Sequence, residues 1–80
     1  MTISKTTKMT FIHGDDWEGI YIDGKLETEG HSHEPTEVVR LAIRRNVSEV
    51  DVKECDFDWL HDEGNLPNDL SDVKYPEPRI

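Results

Sequence analysis

The chain holds a single cysteine, Cys55, among 80 residues, so no intrachain disulfide can form and a reducing compartment is expected. Apolar residues are scarce as well: 34% are hydrophobic and 8% aromatic. A chain of this size buries only about 60% of its unfolded surface, which leaves a thin core. These limits predict one domain over residues 1–80, and they make self-association into a homodimer a natural source of added stability. No apolar run approaches the length of a membrane span, and the N-terminus lacks a secretory hydrophobic segment. The expected location is the cytoplasm.

Positive charge is the next shortage. Eighteen acidic residues face nine basic ones, a formal net charge of -9. Gripping nucleic-acid phosphates or an anionic membrane needs the opposite sign, so direct nucleic-acid and membrane binding are excluded as expectations. Enzyme signatures are missing too. There is no glycine-rich phosphate loop, no GxSxG and no HExxH. Cys55 sits among acids, which raise a thiol pKa and blunt its nucleophilicity. The expectation is a protein without catalysis and without a cofactor.

What is present begins with Trp17–Gly30, WEGIYIDGKLETEG. Two strand-like runs are separated by Asp23-Gly24 alone, the pair that suits a type I′ turn because both residues accept positive φ. That turn sets Ile22 opposite Lys25, Tyr21 opposite Leu26, Ile20 opposite Glu27 and Gly19 opposite Thr28. Met9–His13 reads as a preceding strand, with Met9 and Phe11 on one face and Thr10 and Ile12 on the other. Of the two hairpin faces, the uncharged one with Trp17, Tyr21 and Leu26 is expected to be core. Ile20 and Ile22 are then partly exposed.

Pro35 suits the first turn of a helix, with Ser32 or Glu34 before it as N-cap. Val38, Val39, Ala42 and Ile43 form its apolar stripe with Leu41 at the edge, and Asn46 is the expected C-cap. Val47–Phe57 reads as a fourth strand with a bulge near Lys53–Glu54, since Val50 and Val52 differ in parity from Cys55 and Phe57. A helical turn over Trp59–Glu63 follows, capped by Asp58 and closed by Gly64. Residues 1–8 and 74–80 are expected to be flexible. The predicted fold is α+β: a small antiparallel sheet in the order β-β-β-α-β, one helix on a face and an irregular acidic C-terminal segment.

Three sets of residues carry candidate chemistry. From Glu49 to Asp72 nine acids face Lys53 alone. Within that run, Asp56, Asp58, Asp62 and Glu63 with the aromatic anchors Phe57 and Trp59 form a candidate surface for a basic protein partner. Arg40 and Arg44, one helical turn apart, form a candidate clamp for a small anionic, nucleotide-type ligand sequestered by an oligomer, with Trp17 or Tyr21 stacking on a base between the subunits of a dimer. His31 and His33, with His13, His61 and Cys55, lack the spacing of a zinc site, and Asp56-x-Asp58 lacks that of a calcium loop, so no metal is expected.

At GDDWEGIYIDGKLETEGHS and again at DFDWLHDEGNLPNDL the chain resembles short uncharacterised proteins of phages and bacterial genomes. These share a hairpin followed by EGHS, a helix, a strand and an acidic WL ending. The resemblance covers most of Met9–Val73 and implies no activity or site residue. It implies a phage or mobile-element setting, hence a host-cell cytoplasm, where small acidic proteins often inhibit host nucleic-acid-handling or defence proteins.

Overall fold

The computed structural model describes residues 7–76. Its strands are β1 (Thr7–His13), β2 (Glu18–Ile22), β3 (Lys25–Gly30) and β4 (Val47–Glu54); its helices are α1 (Pro35–Arg44) and α2 (Phe57–Glu63). A 3-10 turn follows at Leu70–Asp72. Asp23 (φ 49°) and Gly24 (φ 84°) make the tight β2–β3 turn in the left-handed region, as their sequence predicts. Asp23 also binds back to β1: its N–H donates to the Lys8 carbonyl and its Oδ1 accepts from the Lys8 N–H, at 2.8 and 3.0 Å.

The fold is α+β, with a four-stranded sheet in the order β3-β2-β1-β4. The first three strands form the expected antiparallel meander, but β4 pairs with β1 in parallel, so the sheet is mixed. The helix crossover explains this. It carries the chain from β3 across one face and returns it in the same direction, beyond β2, to the far side of β1.

Register follows the turn for only two pairs, Ile22–Lys25 and Tyr21–Leu26. A bulge at Glu27 then sets Ile20 opposite Thr28 and Gly19 opposite Glu29. The extra residue reverses the parity of β3 and turns Glu29 away from the isoleucines. In β4 the irregularity lies near Ser48, opposite Thr7 and Lys8, and pairing is regular through Glu54. The expected bulge at Lys53–Glu54 is absent because Val50 and Val52 simply occupy the opposite face from Cys55.

Both sheet faces are covered. On one, Met9, Ile20 and Ile22 are buried under Leu41 of α1, with Phe11, Val38, Ala42 and Val47 packed around them. On the other, Ile12, Tyr21 and Cys55 are buried under Leu60, Leu66 and Val73, with Trp17, Leu26, Trp59 and Leu70 alongside. The Trp17/Tyr21/Leu26 face is core as predicted, but the isoleucines are equally buried. The stripe on α1 is also corrected: Leu41 is its centre, whereas Val39 and Ile43 are exposed.

The C-terminal segment is strapped along the free edge of β3 by backbone bonds. Leu26 N–H donates to the Asn68 carbonyl and Leu70 N–H to the Gly24 carbonyl, both at 2.8 Å. Lys25 and Asp69 form an ion pair between them. Thr7 and Lys8, expected in a flexible end, belong to β1, and the Lys74 carbonyl accepts from Asp56 N–H. The remaining residues predicted to be flexible, 1–6 and 77–80, lie outside the described residues.

Candidate functional site

The acidic surface is built on α2. Asp56, not Asp58, is its N-cap: the Asp56 carboxylate accepts from the Trp59 N–H at 3.0 Å and satisfies one of the free donors of the first turn. At the other end Gly64 takes φ 81° and its N–H returns to the Leu60 carbonyl, the left-handed closure that glycine permits. Leu60 points into the core, and the opposite side of the helix exposes Asp58, His61, Asp62 and Glu63.

The β1–β2 turn adds Asp15 and Asp16, both exposed. His61 Nε2 lies 3.5 Å from Asp15 Oδ2, and Asp16, Trp17 and His61 line one shallow depression beside Gly64. Among the described residues no Lys or Arg forms an ion pair with Asp15, Asp16, Asp58, Asp62 or Glu63. Among the described residues, the end of the molecule that carries α2 thus presents five carboxylates with no Lys or Arg partner, Asp15 alone lying near a histidine, an arrangement that attracts and steers a cationic surface.

Of the six residues singled out for a partner, the structure leaves Asp58, Asp62 and Glu63 facing solvent. Asp56 is occupied as a cap. Phe57 and Trp59 are half-buried, Trp59 packed against the second core and Phe57 beside a shallow hollow with Asp58 and Pro76. Asp15 and Asp16 were missed by sequence reasoning, because only the fold brings the β1–β2 turn against α2.

Arg40 and Arg44 line a cleft of about 360 Å³ between α1 and β3, floored by Ile20 and Thr28, with Glu27, His33 and Glu37 at its rim. Glu27 is engaged by Arg45. Among the described residues neither Arg40 nor Arg44 has a carboxylate partner in ion-pair range. His33 is held as a loop histidine: its N–H donates to Glu18 Oε1 at 3.0 Å, and its ring stands edge-on to Phe11.

Trp17 and Tyr21 do not join this cleft. They belong to the core on the opposite face of the sheet, and Tyr21 is wholly buried with its hydroxyl donating to the Pro67 carbonyl at 2.6 Å. The Trp17 indole N–H donates to Glu29 Oε1 at 2.8 Å, and its ring packs edge-on to His31. Within one chain the sheet thus separates these two aromatics from Arg40 and Arg44, and burial withdraws Tyr21 from a ligand.

Cys55 is buried, and burial pushes its thiol up from the ordinary value of 9.0, with Asp56 and Glu54 adding to the shift. The neutral thiol is a core side chain rather than a nucleophile. Among the described residues no three His, Cys, Asp or Glu side chains converge to hold a metal ion, and no helix is long and apolar enough to cross a membrane. Compared with protein-family models, curated proteins and solved structures, the chain matches none.

Proposed function

We propose that this protein is a non-catalytic interaction module whose α2 end docks on a basic surface of another protein, in the manner of an inhibitor of a nucleic-acid-handling partner. The observation that carries the reading is the uncompensated group of Asp15, Asp16, Asp58, Asp62 and Glu63 around one short, capped helix. Half-buried Phe57 beside Asp58 supplies apolar contact at the edge of the charged area.

The test is charge reversal. Asp62→Lys and Glu63→Lys put cations at the C-terminal end of α2, where the helix dipole favours them, so the fold is retained. The double variant is expected to keep the wild-type circular dichroism spectrum and lose the partner, whereas reversal of exposed Glu34 and Glu37 on α1 leaves binding intact. Equal binding by all three proteins would remove the proposal.

The unpaired Arg40 and Arg44 in the α1–β3 cleft favour a second reading, capture of a small anionic ligand of nucleotide type. It predicts a thermal shift with inorganic phosphate or a nucleotide that disappears in Arg40→Ala. No shift across a broad nucleotide panel would exclude it.

A further inference from the structure

The outer edge of β4 is unpaired by any described strand, and it carries apolar side chains that the monomer leaves in water. Val50 and Val52, which share the α1 face with Met9 and Phe11, are 60% and 68% exposed. In a chain with so few apolar residues, two neighbouring valines left uncovered on an unpaired edge strand mark an interface rather than scattered surface. The helix does not cover the valines because Leu41 seats it on Met9, Ile20 and Ile22 of β1 and β2.

The backbone specifies how that edge can pair. Cys55 N–H donates to the His13 carbonyl of β1, while the next residue, Asp56, donates away from the sheet to Lys74. Strand groups alternate, so Val50, Val52 and Glu54 turn their N–H and C=O outward. An antiparallel copy related by a two-fold axis through Asp51 would set Val50 against Val52 of the second copy, and Val52 against Val50, in hydrogen-bonded pairs. The same register sets Glu49 against Lys53 of the second copy, twice. Centring the axis on Val50 instead would oppose Glu49 to Asp51, two like charges.

We propose that β4 is a homodimer edge, pairing antiparallel with β4 of a second copy about Asp51 to give a continuous eight-stranded sheet. The four valines join on the α1 face between the two helices. Glu49 and Lys53 cross-pair on the other face. The two Asp51 carboxylates that meet at the axis are each already within 3.7 Å of Lys53 and 3.9 Å of Lys8 in their own chain, which offsets their repulsion. A second copy is the fitting occupant because this register joins the valines on one face, crosses Glu49 with Lys53 on the other and uses the outward backbone groups of the edge. The proposal goes beyond the docking reading and stands independently of it, since it uses neither α2 nor the acidic end.

Sedimentation velocity of the full chain over its accessible concentration range tests it. The expected wild-type mass at high concentration is twice 9.3 kDa. Val52→Lys, at an exposed position, is expected to give a folded monomer with an unchanged circular dichroism spectrum. Glu49→Lys and Lys53→Glu should each raise the dimer dissociation constant roughly tenfold, and the double swap in one chain should restore it. A wild-type protein monomeric throughout, a Val52→Lys protein that still dimerises, or a double swap without recovery would each overturn the proposal.

Discussion

The Tyr21 hydroxyl donates a 2.6 Å hydrogen bond to the carbonyl of Pro67, 46 residues away, and so fastens the C-terminal strap to the centre of the sheet. Tyr21 is also among the largest fully buried side chains. One residue therefore links the hairpin to the segment that orients α2 and its carboxylates. Tyr21→Phe keeps the ring and removes only the bond, leaving the Pro67 carbonyl without its donor. The expected loss is about 1–2 kcal/mol in urea denaturation. A loss too small to measure would show that the strap does not depend on this contact.

Glu29 ties the same region from the other side. Its Oε1 accepts from the Trp17 indole N–H at 2.8 Å and from the Leu66 N–H at 2.9 Å. Glu29→Ala leaves two partly buried donors unsatisfied and is expected to cost about 2–4 kcal/mol, with a change in tryptophan fluorescence as Trp17 is released. Wild-type stability in this variant would contradict the described hydrogen-bond network.

Burial pushes the phenol of Tyr21 above its ordinary value of 10.0 and the Cys55 thiol above 9.0. The unfolded chain therefore ionises first as pH rises, and the folded state retains its protons longer. The stabilising contribution is full below the ordinary values and falls progressively above them. Urea midpoints are expected to drop between about pH 8 and about pH 11, less steeply in Tyr21→Phe. Equal midpoints at the two pH values would contradict this burial.

Gly14 closes the β1–β2 turn, its N–H donating to the Trp17 carbonyl at 2.7 Å. A Cβ there would stand 2.8 Å from that carbonyl oxygen and 2.3 Å from Leu60 Cδ2. Gly14→Ala is expected to destabilise by about 1–3 kcal/mol, whereas Gly30→Ala, with only Ser32 O at 4.0 Å, is tolerated. Thermal denaturation of the two variants separates a packed turn from a loose one.

Local signals in the sequence predicted much of the fold. Asp23-Gly24 predicts its turn because both residues tolerate positive φ, and Pro35 and Gly64 mark the start of α1 and the end of α2 for equally local reasons. What escaped prediction depends on contacts distant in sequence. The Glu27 bulge is not signalled by composition, yet it turns Glu29 to the side where Trp17 and Leu66 need an acceptor. The burial of Ile20 and Ile22 follows from α1 lying over a face whose edge partners looked charged. At the acidic end, Asp58, Asp62 and Glu63 were legible as a charge run. Asp15 and Asp16 join them only through the packing of a turn against α2, and Trp17 and Tyr21 are separated from Arg40 and Arg44 by the sheet itself.

The most direct test of the docking account is native mass spectrometry of the tagged protein recovered gently from its own host. The account predicts a complex with a second protein of basic isoelectric point, retained at low salt, released as salt rises, and absent for Asp62→Lys/Glu63→Lys. Recovery without a protein partner, or with one that persists unchanged in the charge-reversed variant, would contradict it.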